Sequence, residues 1–139
     1  MPVLSEYSRI TRHTPAAVFA LWSDPTTWSE WDPEVHAVEF DPPCVIGARG
    51  RLRPAQGPAL AFTITALRQD ELLTDTSRLP GARLDFEHVV GSTSQGARVS
   101  VAVHLRGSLA GFWSRVLRKP MADAARSSVE GLVAHLDRS

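Results

Sequence analysis

The chain has 139 residues, 43% of them hydrophobic and 22% charged, the balance of a soluble globular protein and enough length for one domain whose core needs no disulfide or metal. Fifteen basic and fifteen acidic side chains cancel, so the electrostatic footprint of a nucleic-acid binder is missing. The lone Cys44 excludes an intrachain disulfide and, in Asp-Pro-Pro-Cys-Val with no activating neighbour, reads as a small, half-buried hydrophobe. Fourteen of the fifteen basic residues are Arg, which in an Ala-rich chain reads as coding bias rather than phosphate recognition. Met-Pro-Val-Leu-Ser-Glu-Tyr lacks the basic and apolar regions of a secretion signal, and no apolar run approaches the ~18 residues of a membrane span. A cytoplasmic protein without stable membrane insertion is expected.

Residues 3–12 are compatible with an opening strand. Thr14-Pro15 then combines a helix cap with a proline suited to the first turn, and the helix runs to about Trp22 with Val18, Phe19 and Trp22 on one side. Asp24-Pro25 repeats that signal, so a short second helical turn carries Trp28 and Trp31, three apart and pointing the same way, until Asp32-Pro33 ends it. The period then switches to two. His36, Val38 and Phe40 alternate, although Val35 and Ala37 allow the opposite phase. Further strands are expected over 49–53, 60–66, 72–77, 83–90 and 99–105, with a turn at Pro80-Gly81 and a hairpin at about Gly91 to Gly96. Leu84, Phe86, His88 and Val90 share one face against Arg83, Asp85 and Glu87. Val99, Val101, Val103 and Leu105 oppose Ser100, Ala102, His104 and Arg106, so His104 faces solvent. An antiparallel sheet with one wet face explains this pattern.

From Leu109 to Leu136 apolar residues recur every three or four positions, as in one long amphipathic helix. Pro120 removes a hydrogen bond to the Val116 carbonyl, so a kink or break is expected near 118–120. A one-sided sheet and one long helix pack when the twisted sheet wraps around the helix.

The segment Trp28-Ser-Glu-Trp31-Asp-Pro-Glu-Val35 after a Pro-started helix, the Gly-Ala-Arg-Val-Ser-Val strand and the Gly107-Ser-Leu-Ala-Gly111 lead into the last helix resemble the polyketide cyclase/dehydrase group of the START-like (Bet v 1-like, SRPBCC) superfamily. The resemblance spans essentially the whole chain, residues 1–139 as one domain. It implies an α+β helix-grip fold: a curved antiparallel sheet of six to seven strands around a long C-terminal helix, with two short helices after the first strand closing one end of a cavity. Its motifs are positions of apolar residues, Trp and Gly, specific for fold and weak for function.

A cavity for a small ligand is mostly apolar with a few orienting polar groups. Trp28, Trp31, Phe62, Phe86 and Trp113 could line it or fill it. Phasing turns His88 inward, where a neutral imidazole could orient a ligand or move a proton, and His36 is a weaker inward candidate. Arg49, Arg51 and Arg53 form a stripe opposite Ala48, Gly50 and Leu52 and read as an exposed charged face. Asp32 reads as the terminator of the short helix, Glu34 lies beside it at the presumed cavity mouth, and the phase of Asp75 is open. The five His residues show no metal-ligand spacing, and no paired carboxylates, phosphate loop, nucleophile elbow or dinucleotide fingerprint occurs, so no metal and no cofactor is expected.

Two function classes follow, with a third behind them. The first is binding or transport of a small apolar molecule, such as a lipid, isoprenoid or aromatic or polyketide metabolite, by a monomer or homodimer. The second is an aromatase/cyclase driving enolisation and dehydration of a poly-β-ketone, with His88 as acid/base, assisted by Arg51 and a water at Asp32. The third is a protein-interaction domain with a filled cavity. Whether the chain is an enzyme stays open at this point.

Overall fold

The computed structural model describes residues 3–139. The first strand, β1 (Val3–Thr11), leads into α1 (Pro15–Trp22), where Thr14 Oγ1 accepts the Ala17 N–H at 3.1 Å and Pro15 occupies a position whose N–H would have no helical partner. A 3-10 turn over Pro25–Thr27 continues into α2 (Trp28–Trp31). Asp32 closes it, its carboxylate accepting the Glu34 N–H at 2.9 Å.

Six more strands follow: β2 (Val35–Phe40), β3 (Arg49–Pro54), β4 (Leu60–Arg68), β5 (Leu72–Leu79), β6 (Ala82–Thr93) and β7 (Gly96–Arg106). The sheet is antiparallel in the order β1-β7-β6-β5-β4-β3-β2, so β1 alone leaves sequence order, to pair with β7. Strand β6 and its partner run past the expected hairpin limit at Gly91 and turn between Thr93 and Gly96. Gly96 is required there: its φ is +137°, and a side chain would overlap the Thr11 carbonyl.

The C-terminal stripe is divided into α3 (Ala110–Leu117) and α4 (Ala124–Asp137) rather than forming one kinked helix. Pro120 lies in the gap, where its ring and missing N–H stop the ladder. The gap lets α4 turn onto β1 and β7. Ser5 Oγ accepts the Ala125 N–H at 3.0 Å and donates to the Ala122 carbonyl at 3.1 Å, tying the start of α4 to β1. Tyr7 donates to Glu130 at 2.6 Å, and His13 meets Asp137 at 2.7 Å about two turns further on.

The concave face of the sheet carries Val99, Val101, Val103 and Leu105, all buried, against Ala125, Val129, Leu132 and Val133 of α4. The core divides in two. One cluster joins α1, α2, β4 and α4 through Trp22, Trp28, Phe62 and Leu132; the other joins Leu84, Leu105 and Ala110 with Phe86, Trp113, Leu117 and Met121.

Helix α4 crosses α2 where Gly131 lies against the Trp31 carbonyl, so closely that a methyl group at Gly131 would overlap that oxygen. Gly131→Ala is therefore expected to cost about 1–3 kcal/mol of stability in urea titration, the usual cost of overpacking. Gly111→Ala is the control: that glycine, in α3, has nothing within 4 Å of an added Cβ. It should gain about 0.5–1 kcal/mol from helix propensity.

Candidate functional site

One end of the grip is filled by aromatic rings. Phe40, Gly50 and Phe62 are neighbours across β2, β3 and β4. A Cβ on Gly50 would lie 2.5 Å from Phe62 Cζ, so the glycine is what lets that ring lie over β3 and stack on Phe40 at 6.1 Å, 2° from parallel. Trp28 covers the ring from the other side at 5.3 Å, and its indole N–H donates to the Trp22 carbonyl at 3.1 Å. Trp31 donates to Thr27 Oγ1 at 3.1 Å. Both tryptophans are 5% exposed, too little for a flap resting loosely on the surface.

His88 points inward beside them, as its strand phase requires, with the rings of Trp22 and Trp28 at 5.2 and 6.4 Å. Its Nδ1 lies 2.9 Å from the Leu73 carbonyl oxygen. A carbonyl only accepts, so Nδ1 carries the proton and Nε2 is the acceptor nitrogen. Burial holds the imidazole neutral, its pKa lowered to about 4, while the Leu73 and Phe86 carbonyls pull the other way.

The open phase of β5 resolves with Asp75 and Ser77 inward, both buried, on the face of Leu73. Asp75 lies between Ile64 of β4 and Phe86 of β6, and Ser77 lies beside Leu84. Burial first, then the charges of Asp85 and Asp32, raise the Asp75 carboxyl to about 8, so it is protonated at neutral pH. Its outward-facing neighbour Asp85 differs. Burial would raise Asp85 too, but donors from Thr76 at 2.7 Å and Arg106 at 2.8 Å outweigh it and hold that carboxylate low. Asp75 has no hydrogen-bond partner among the described residues, whereas Asp85 has two side-chain donors.

Other expected residues fall in different places. His36 is exposed, not inward: the ladder slips between Val35 and Ala37, so Val35 and Val38 both reach the core and His36 is turned out between them. Arg49, Arg51 and Arg53 are exposed, which removes Arg51 from any interior chemistry. His104 lies on the outer face, 3.9 Å from Glu87. Phe86 faces inward yet stays half-buried, and Trp113, also half-buried, donates its N–H to the Pro80 carbonyl at 2.8 Å. Asp32 is raised to about 6, chiefly by burial, against the Glu34 N–H that lowers it. Cys44 is half-buried against the first cluster.

Ser128 is a residue that sequence reasoning misses. It sits on the buried face of α4 with Ala125, Val129 and Leu132, and its hydroxyl is sealed from solvent without a partner among the described residues. Its three-residue offset from Ala125 and four-residue offset to Leu132 are the available signal. Shallow outer concavities occur among the described residues. One, of about 400 Å³, lies over Ser8, Ser100 and Ala102 on the convex face; another, of about 290 Å³, lies between Asp32, Gly131 and Arg138. Neither reaches Asp75.

A seven-stranded antiparallel sheet curled around C-terminal helices, with two short helices after β1, defines a helix-grip protein of the Bet v 1-like class. The chain belongs to the polyketide cyclase/dehydrase and lipid transport family, whose model matches residues 3–137. Its fold is similar to that of the protein TTHA0849 from Thermus thermophilus, with a TM-score of 0.76 at 18% identity over 99% of each chain. It is similar to Ara h 8.0201 with a TM-score of 0.69 at 11% identity, over 96% of this chain and 97% of that one. The di-domain ARO/CYC StfQ of the steffimycin biosynthetic pathway gives a TM-score of 0.74 at 10% identity, over 93% of this chain and 48% of that one. No curated protein matches the chain.

Asp75 and His88, both inward, give opposite pH dependences. Asp75 keeps its proton to about pH 8 when folded but releases it near 3.8 when unfolded, so stability falls as pH rises through that window. His88, at about 4 folded and 6.5 unfolded, contributes fully above pH 6.5 and loses its contribution as pH falls toward 4. Asp32 adds to the fall only up to its folded value of about 6. Between pH 6.5 and 8 Asp75 dominates these three, and urea midpoints should show stability dropping by about 1.4 kcal/mol per pH unit. Asp75→Asn should flatten that region and exceed the wild type at pH 8.

Proposed function

We propose that this protein holds a small apolar molecule between the concave face of the sheet and helices α3 and α4. The carrying observation is the inward carboxyl of Asp75: a polar group inside an apolar enclosure, without a protein partner among the described residues, is what a ligand-orienting group looks like before its ligand arrives. Phe86 and Trp113, inward or cluster-facing yet half-buried, are the proposed contact surface on one side. Trp28, Trp31, Phe62 and His88 form the packed floor on the other. Membership of a family described by cyclisation, dehydration and lipid transport supports the reading. No helix among the described residues is long and apolar enough to cross a membrane.

The second reading, a polyketide cyclase, is favoured by the same carboxyl, because an acid protonated at neutral pH can donate to a developing enolate. It ranks behind binding because His88, near 4, is a poor proton carrier at pH 7 and spends its N–H on Leu73. Native mass spectrometry of the freshly purified protein distinguishes occupancy from a filled core. Binding predicts an added mass of a few hundred daltons that disappears on denaturation; a bare chain that also fails to take up an uncharged hydrophobic probe would contradict it.

A further inference from the structure

We propose that Asp75 on β5 and Ser128 on α4 face one another as a single anchoring point, which takes an uncharged apolar molecule bearing a hydroxyl or carbonyl oxygen in preference to an anionic or cationic amphiphile. This rests on the reading that the interior holds an apolar molecule.

Register places the two groups at one level of the grip. The row Ser5, Val103, Phe86, Asp75 and Ile64 runs across β1, β7, β6, β5 and β4, and the next inward row contains Tyr7, Val101, His88 and Leu73. On the facing wall, Ala125 is bonded to Ser5 and Glu130 to Tyr7. Ser128 stands between those two ties, on the buried side of α4, and therefore looks across the same two rows. The polar residues also fall on the division between the two apolar clusters: Asp75 and Ser77 separate Phe62 and Ile64 of one from Leu84 and Phe86 of the other.

Both groups are 5% exposed, and neither has a hydrogen-bond partner among the described residues. Among those residues the Ser128 hydroxyl is the buried side-chain atom that is both sealed and unpaired. Phe86, beside Asp75 in the same row, faces inward and is still half-buried.

The charge of the ligand follows from what surrounds the anchor. The buried titratable side chains among the described residues are Asp75, Asp85 and His88, with no Arg or Lys. A carboxylate or phosphate would find no counter-charge and would face Asp75. An ammonium could pair with an ionised Asp75, but both charges would lose their water, and that desolvation cost offsets the attraction of a buried pair. A neutral oxygen meets neither cost: the protonated carboxyl both donates and accepts, and the Ser128 hydroxyl adds a second donor.

The test is displacement of the uncharged fluorophore N-phenylnaphthylamine by decanol, decanoate and decylamine, which share one chain length. Decanol should displace it at concentrations roughly tenfold below either charged compound. Asp75→Leu, which places an apolar side chain in an apolar row and should fold, is expected to weaken decanol by roughly twofold to tenfold. Ser128→Ala should weaken it less, each decanol affinity being referred to that variant's own affinity for N-phenylnaphthylamine. Decanoate or decylamine matching decanol, or decanol binding unchanged in both variants, would overturn the anchor while leaving the apolar-molecule reading intact. Failure of N-phenylnaphthylamine to bind any form would overturn both.

Discussion

The indole of Trp28 is the contact on which the arrangement of the grip depends. It joins three elements: its N–H holds the Trp22 carbonyl at the end of α1, one face covers Phe62 on β4, and it lies near-parallel to His88 on β6. A ring of this size removes ~150–250 Å² from water, and pairing its N–H avoids the cost of burying a donor unpaired. Because Trp28 fills this end, α2 is fixed, and with it the Trp31 carbonyl against which Gly131 of α4 packs. The helix that faces the sheet is thus positioned from the aromatic end.

The middle of the sheet has an electrostatic character of its own. Two neighbouring strands carry carboxyl groups on opposite faces, and their surroundings set them apart. Asp85 outside is ionised among Thr76, Arg83 and Arg106; Asp75 inside is protonated, with apolar neighbours on both flanking strands. Keeping Asp75 inside costs stability near neutral pH, and a leucine there would avoid that cost. A buried polar group without a structural partner is the kind of local inconsistency that functional sites carry.

Much of the fold is legible in the sequence because its signals are local. Thr14-Pro15 and Asp24-Pro25 mark the helix starts, and the period-two runs at Leu84–Val90 and Val99–Leu105 give both phase and burial. Pro120 marks the C-terminal break, though not that the interruption extends to Asp123 and separates two helices. The site is harder to read for physical reasons. Around Asp75 the alternation is blurred by the Leu72-Leu73 pair and by polar residues on both faces of β5. His36 is turned out by a slip in pairing with β3, which depends on the partner strand rather than on its own segment. Ser128 lies within an apolar stripe, where a single hydroxyl disturbs periodicity too little to stand out. Whether Trp28 and Trp31 pack or cover a cavity is decided only by their burial and hydrogen bonds, which no local pattern encodes.

Everything proposed for the interior depends on Asp75 being a protonated, ligand-ready carboxyl rather than an ordinary surface acid. The most direct measurement is a pH titration of the Asp75 side-chain carboxyl carbon by NMR in the ligand-free protein. A midpoint near 8, far above the unfolded value of 3.8, is expected. A midpoint in the usual carboxylate range would contradict it, because Asp75 would then be solvated or paired and could not be the unpartnered group on which the binding reading stands.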